Sequence, residues 1–167
     1  AFLESAKEDS FWAVRSEAYS SLGKLKTKAN QEDFQWIKNN EKDNRVKRSF
    51  IRSLRHQLND DDVSRFLEEI IISDTSYYSI ADAIKILSVV DSSKAKDHVI
   101  KLLNTESHND VIRKSALSYY GQVKTMSNYN RLKELAQYGK FSWASRSTII
   151  YELSKYQKTR PKTYDYI

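Results

Sequence analysis

The sequence repeats one helical pattern about every 33 residues. Its anchor positions are 32 or 33 residues apart, namely Val14, Val46, Ser79, Ile112 and Ser145. The positions four and eight residues after each anchor are all apolar or aromatic: Ala18, Leu22, Phe50, Leu54, Ala83, Leu87, Ala116, Tyr120, Ile149 and Leu153. Residues at steps of four lie on one face of an α-helix, so the columns predict five helices that bury the same face. A fixed period of this length is typical of a solenoid of stacked units.

A second, weaker helical segment lies between each two successive anchor helices. The four segments are EDFQWIKNN, DDDVSRFLEEIIIS, SSKAKDHVIKLLN and NYNRLKELAQYG, with apolar residues at steps of three and four. Acids are favoured at a helix start because the exposed N–H groups there carry partial positive charge. We therefore interpret the acids at 60–62 as a helix start rather than a metal site, and Ser92 and Ser127 as further caps. The chain is expected to form antiparallel helix pairs.

Composition supports one all-helical domain. Only three Gly and one Pro leave few turn residues for an all-β fold. No apolar run approaches the roughly 18 to 20 residues of a membrane span, and the first residues do not resemble a signal peptide. We predict one domain over residues 1–160, excised from a longer chain, followed by a tail at 161–167. The absence of Cys excludes disulfides and agrees with a reducing, cytoplasmic location.

An acid before an anchor helix and a base inside it, as in the first two repeats, resemble the pattern of short HEAT repeats. Asp9 and Arg15 have the six-residue spacing, and Glu41 and Lys47 repeat it. The resemblance implies a right-handed α-solenoid of about five HEAT-like antiparallel helix pairs. It also implies that each turn acid accepts from the base six residues on, or from the base of the adjacent repeat. The three later repeats have Asp74 with Ile80, Ser107 with Arg113, and Lys140 with Arg146 at these positions. The ladder is therefore expected to be intact in only two repeats.

A narrower resemblance lies in the stretch DSFWAVRSEAYSSLG. It is similar to the D-x-F-W-x-V-R-x-E-A motif of the HEAT-like C-terminal region of gluzincin (alanyl aminopeptidase) zinc aminopeptidases. The residues that carry the match are Phe11, Trp12, Val14, Arg15, Glu17, Ala18 and Leu22. In that family the helical superhelix closes over the catalytic domain and restricts access to its active site. The resemblance implies a scaffold that interacts with a catalytic domain of the same chain, a peptide or a partner subunit, and no membrane.

Catalytic motifs are absent from the sequence itself. It contains neither HExxH nor GAMEN, no GxSxG elbow and no glycine-rich phosphate loop. The three histidines, His56, His98 and His108, are not at a ligand spacing. We therefore expect a non-enzymatic chain without a cofactor, and any zinc would belong to a catalytic domain outside it.

The most distinctive polar feature is a stripe of four arginines, Arg45, Arg48, Arg52 and Arg55. Steps of three and four place them on one helical stripe, nearly opposite the apolar column. Like charges at this spacing repel, so the acids between Asp60 and Glu69 are expected to pair with them. The other interpretation is an anion-binding stripe on the inner face of the solenoid.

The alternative function is nucleic-acid binding. Some HEAT-like proteins, such as the alkylpurine DNA glycosylases, hold duplex DNA in a basic concavity. Here Arg113 and Arg146 would join the four arginines on phosphates. Residues 111–167 hold 11 Lys and Arg against 3 Asp and Glu, whereas residues 1–110 hold 17 against 19. The test that separates the two functions is whether these basic residues share one face.

Aromatic residues stand two positions before three of the anchors: Trp12, Tyr77 and Trp143. We expect them to seal the loop end of each helix pair against its neighbour. A stacking surface for a peptide or a nucleobase is the alternative.

Overall fold

The computed structural model describes residues 9–156, and all regular structure in this range is helical. The nine α-helices of the range are α1 (Trp12–Lys24), α2 (Gln31–Asn39), α3 (Asn44–Ser53), α4 (Asp61–Ser73), α5 (Tyr77–Val90), α6 (Ser92–Leu102), α7 (Val111–Gln122), α8 (Met126–Leu135) and α9 (Trp143–Ser154). A 3₁₀ turn, Leu54–His56, extends α3, and another, His108–Asp110, precedes α7. The all-α prediction is confirmed. The predicted domain end at residue 160 and the tail at 161–167 lie outside the described residues.

Short polar side chains begin most of these helices. Asp60 accepts hydrogen bonds from the backbone N–H groups of Asp62 and Val63, which confirms the predicted start of α4. The cap of α6 is Asp91 rather than Ser92, and the cap of α8 is Thr125 rather than Ser127. In both cases the side chain that reaches the free N–H groups stands one or two residues before the predicted cap, where the backbone is still extended.

The odd-numbered helices carry the repeated apolar columns, and they pack in chain order. Helix α1 packs on α3, α3 on α5, α5 on α7 and α7 on α9. The even-numbered helices α4, α6 and α8 pack against the odd-numbered helices that follow them. Nine of the ten column residues are buried, and Leu22 is partly buried against the same core. The helix pattern in the sequence therefore locates the core correctly.

Val14 is the exception among the anchors. Its side chain is 47% exposed, whereas Val46, Ser79, Ile112 and Ser145 are at most 1% exposed. Val14 stands in the first helix of the described range, which has no odd-numbered helix before it in that range. Repeat position alone therefore does not bury an anchor.

Neighbouring odd-numbered helices run parallel, one repeat apart. Ser16 of α1 shares a 2.6 Å hydrogen bond with Ser49 of α3, 33 residues later. The Arg48 guanidinium of α3 donates to the Asp82 carboxylate of α5 at 2.7 Å, 34 residues later. Each bond joins a residue two positions after one anchor to a residue three positions after the next anchor. The sequence period is thus also the period of helix packing.

Glycine allows two of these helices to approach closely. A Cβ at Gly23, in the last turn of α1, would lie 2.9 Å from the Ser53 Cα of α3. Real Cβ atoms do not come this close to a backbone atom, so any side chain here would push α1 and α3 apart. Gly23 therefore serves helix packing rather than helix termination alone.

Candidate interaction face

The predicted ladder of acids and bases connects adjacent repeats. The Arg15 guanidinium donates two hydrogen bonds to the Glu41 carboxylate, at 2.9 and 3.0 Å. It also donates to the backbone carbonyl of Asp9 at 2.8 Å. The Asp9 carboxylate instead accepts from the Phe11 N–H at 2.7 Å. The HEAT resemblance allows a pair within one repeat or between adjacent repeats. Arg15 forms the second kind, with Glu41 of the next repeat.

Lys47 follows the same rule one repeat later. Its ammonium lies 2.7 Å from the Asp74 carboxylate and not against Glu41. Asp74 is thus a ladder acid although Ile80 stands six residues after it, where the spacing rule requires a base. Glu41 and Asp74 also accept from the N–H two residues on, at Asp43 and Ser76 respectively. Each acid both shapes its own turn and binds the preceding repeat.

Arg113 and Arg146 occupy the equivalent position in later repeats, one residue after the anchor. Arg113 donates to the Leu103 carbonyl at the end of α6, and Arg146 to the Ala136 carbonyl at the end of α8. A cation at a helix C-terminus satisfies a free carbonyl and opposes the helix dipole. Arg113 also pairs with Asp110 at 2.6 Å. Both arginines therefore stabilise helix junctions.

The four predicted stripe arginines have different neighbours. Arg45 pairs with Asp43 at 2.6 Å, and its guanidinium lies 3.6 Å from the centre of the Trp12 ring. The hydrogen bond from Arg45 lowers the pKa of the Asp43 carboxyl to about 2. Arg45 thus covers the aromatic ring of the preceding repeat. This contact agrees with the sealing role predicted for Trp12.

Arg48 and Arg52 share one acid that the sequence reasoning missed. Asp82 of α5, a buried residue, lies 2.7 Å from Arg48 and 2.8 Å from Arg52. The predicted partners between Asp60 and Glu69 are engaged elsewhere. Their ion pairs are Lys28–Asp60, Lys94–Asp61, Arg65–Asp62 and Lys38–Glu69, and Glu68 shares a hydrogen bond with the His98 ring. Asp82 could have been found as the acid three residues after its anchor, on the same flank of the helix as Ser49.

A basic face appears when the positions opposite the apolar columns are compared across the odd-numbered helices. The positions two, six and nine residues after the anchors include five Lys or Arg residues and no acid. We call these five residues the basic face: Arg48, Arg52, Arg55, Lys85 and Lys114. Lys85 and Lys114 were absent from the predicted binding residues, although the repeat columns contain them.

Arg113 and Arg146 do not belong to this face. At 100° per residue, their position one residue after the anchor lies about a third of a turn from the basic columns. The guanidinium groups of both are already used at helix ends, as described above. The structure therefore does not bring the six predicted arginines onto one surface.

Glu152 of α9 is a buried acid that lies against Gly121 of α7. Burial raises its pKa, and the 2.6 Å ion pair with Lys155 acts in the opposite direction. Lys85 also favours the ionised form of Glu152, although it is not in contact with it. The carboxylate lies beneath the surface, so it does not present negative charge to a ligand.

The motif residues of the first repeat differ in burial and in their contacts. Ala18 is buried, Leu22 packs against the core, and Trp12 is half-buried under Arg45. Glu17 is exposed and pairs with Lys24 at 3.1 Å. Phe11 is 57% exposed.

Aromatic residues at the other two loop ends are exposed. Tyr77 is 47% and Trp143 is 84% exposed, so the predicted sealing role holds only for Trp12. Trp143 borders an open cavity together with Tyr138, Phe141 and Arg146. The difference arises because no cation of a following repeat covers these two rings in the described part of the chain.

No protein-family model matches the chain, and no curated protein does either. Within residues 9–156, no three His, Asp or Glu side chains gather in a way that could hold a metal ion. In the same range no helix is long and apolar enough to cross a membrane. The cations of the basic face are suited to charge-assisted contacts with an anionic group.

Proposed function

We propose that this chain is a non-catalytic interaction module built as a HEAT-like α-solenoid. The observation that carries the proposal is the parallel packing of the odd-numbered helices at one-repeat spacing, with hydrogen bonds between matching positions. In such an array each repeat contacts only its neighbours, and a small rotation per repeat gives a curved surface. The right-handed superhelix and the HEAT assignment are part of this proposal.

The surface of the module is suited to a protein partner. Tyr78 and Tyr151 are exposed, and cations lie over both rings, Arg48 at 4.9 Å and Lys155 at 4.7 Å from the ring centres. Tyrosine and arginine are enriched at the centres of protein interfaces because they combine apolar area with polar groups. The module would thus bind through the basic face and its neighbouring tyrosines.

The narrower proposal is the C-terminal region of a zinc aminopeptidase. It rests on the first-repeat motif, which lies on a helix of the repeat array, and it requires a catalytic domain elsewhere in the same chain. The coding sequence before Ala1 should then encode HExxH. The upstream region, expressed separately, should co-elute with this module in gel filtration. A coding sequence without HExxH would remove the aminopeptidase assignment and leave the general module.

Enzymatic activity of the module itself is the direct test. The purified chain should neither cleave aminoacyl-anilide substrates nor retain zinc after dialysis, because it carries no zinc-peptidase motif. Turnover with stoichiometric zinc would contradict a non-catalytic role.

Nucleic-acid binding remains the second candidate because of the basic face. Arg48 and Arg52 share the Asp82 carboxylate, and Arg113 and Arg146 donate to helix ends, so these four arginines are less free to bind phosphates. At about 150 mM salt we expect duplex DNA to bind no tighter than the non-specific range of about 10⁻⁴ to 10⁻⁶ M. Nanomolar binding that is lost in an Arg48→Ala, Arg52→Ala variant with an intact fold would favour this candidate over the module.

A further inference from the structure

Three cations of the basic face are in contact with no acid in the described part of the chain, although Lys85 acts on Glu152 at longer range. Arg55, Lys85 and Lys114 form no ion pair and no side-chain hydrogen bond within residues 9–156, unlike Arg48 and Arg52. An unpaired cation keeps its full charge for a ligand and need not break an existing contact. These three residues are therefore the part of the basic face that is free to bind.

Lys85 is the centre of this group. Between Ser79 and Ser88 of α5, nine residues are buried and Lys85 alone is exposed. Helix α5 is covered by α3, α4, α6 and α7, and Lys85 marks the line along which it reaches solvent. Arg55 lies on the α3 side of this line and Lys114 on the α7 side.

The repeat register places the three cations on a diagonal. Arg55, Lys85 and Lys114 stand nine, six and two residues after their anchors, on successive odd-numbered helices. Packed helices are about 8–10 Å apart, and the steps along the axis are about 4.5 and 6 Å. The backbone positions of neighbouring cations are thus about 9 to 12 Å apart. The positions two, six and nine residues after the anchors contain no acid.

This spacing matches an extended polypeptide. A chain in the polyproline II conformation rises about 3.1 Å per residue with three residues per turn, so every third side chain points the same way at about 9 Å intervals. One strand of a nucleic acid duplex carries a phosphate about every 3.4 Å of helix axis. These phosphates follow one another much more closely than the three cations do. The diagonal therefore fits widely spaced carboxylates better than a phosphate backbone.

We propose that Arg55, Lys85 and Lys114 bind an acidic, extended segment of a partner protein that has Asp or Glu at every third residue. The proposal rests on the interaction-module function and names its partner class. Beside Arg55 the diagonal opens into a cavity between α1 and α3, lined by Ser20, Ser49 and Lys24, where the end of the segment can lie.

The test uses two labelled peptides of equal composition and charge. One contains four Glu-Pro-Pro units, and the other contains the same residues with its four glutamates adjacent. Fluorescence anisotropy at about 50 and 150 mM salt should show about tenfold tighter binding of the spaced peptide, which corresponds to about 1.4 kcal/mol. A Lys-Pro-Pro peptide should not bind. Equal affinity of the spaced and adjacent peptides would overturn the proposal without any protein variant.

Two triple variants then locate the site. Replacing Arg55, Lys85 and Lys114 with Gln should weaken binding of the spaced peptide at least tenfold. The matched control replaces Lys42, Lys96 and Lys101 with Gln, which removes three exposed charges elsewhere that form no ion pair within residues 9–156. The control should change the affinity less than threefold, and circular dichroism should show that both variants fold.

The remaining outcomes are decisive in the other direction. Equal losses of peptide affinity in the two triple variants would show that binding depends only on the net charge of the protein. A single-stranded oligonucleotide is tested in the same way. If it binds tighter than the spaced peptide, and its binding is lost when Arg55, Lys85 and Lys114 are replaced with Gln, these residues form a nucleic-acid site instead. If the spaced peptide does not bind, the proposed peptide site at Arg55, Lys85 and Lys114 is rejected and the interaction-module function stands. Aminoacyl-anilide turnover would reject the interaction-module function itself.

Discussion

Replacing Arg15 with leucine would leave the Glu41 carboxylate buried without its cation. The Glu41 side chain is 1% exposed, and Arg15 supplies two hydrogen bonds to it at 2.9 and 3.0 Å. Removing one partner of a buried ion pair costs about 3–5 kcal/mol because the other charge remains desolvated. Glu41 keeps one hydrogen bond, from the Asp43 N–H, and the Arg15 side chain is 15% exposed. We therefore expect a loss at the lower end, about 3 kcal/mol of unfolding free energy.

Urea denaturation followed by circular dichroism measures this loss. The matched control is Lys24→Leu, which breaks the Lys24–Glu17 pair, whose side chains are 70% and 68% exposed. An exposed pair contributes less than about 1 kcal/mol, so the control should change little. The double variant Arg15→Leu, Glu41→Leu should recover most of the stability, because two apolar groups can replace a buried pair with little loss.

Equal losses of stability in the single variants Arg15→Leu and Lys24→Leu would contradict this expectation. A double variant Arg15→Leu, Glu41→Leu that is no more stable than Arg15→Leu alone would also contradict it. Either result would mean that the carboxylate reaches water and that the ladder does not connect the first two repeats.

Three further predictions test the core, a close contact and a titrating cap. Leu87→Ala should cost about 2–5 kcal/mol through lost transfer energy and a cavity, and urea denaturation with a loss below 1 kcal/mol would mean that the column is misassigned. Gly121→Ala should destabilise despite a helix-propensity gain of about 1 kcal/mol, because its Cβ would lie 2.8 Å from the Glu152 Cδ; a rise in melting temperature would contradict this. Because the pKa of Asp43 is lowered to about 2, its contribution to stability is present above about pH 4 and lost as the pH falls towards 2. In Asp43→Asn, which can still cap α3, acid titration of the unfolding free energy should therefore be flatter in this range, and an unchanged slope would refute the Arg45 pairing.

Local periodicity predicts helices and their buried faces in this chain. Residues four apart meet on one helical face wherever the helix is, so the columns through Leu54 and Leu87 needed no knowledge of neighbours. The same logic found the start of α4 at Asp60, since capping depends on groups two and three residues away. These features were predictable because their partners are close in the sequence.

Partners of charged side chains were not predictable in the same way. Acids near Arg48 in the chain, between Asp60 and Glu69, were the predicted partners, yet Asp82 holds the arginine from 34 residues away. Arg113 and Arg146 resembled binding residues in the sequence but cap helix ends. Which acid or carbonyl a long side chain meets depends on where the next helix lies and how it is rotated.

Repeat position and helix stacking together produce the candidate binding surface. The columns nine, six and two residues after the anchors are visible in the sequence, but they are only separate positions on separate helices. Packing of the odd-numbered helices in chain order places Arg55, Lys85 and Lys114 on adjacent segments of the structure, and Asp82 and Glu152 are buried there. A helix face is a local property that the order of residues encodes directly. The distance between charges on different helices arises only when the helices pack against one another.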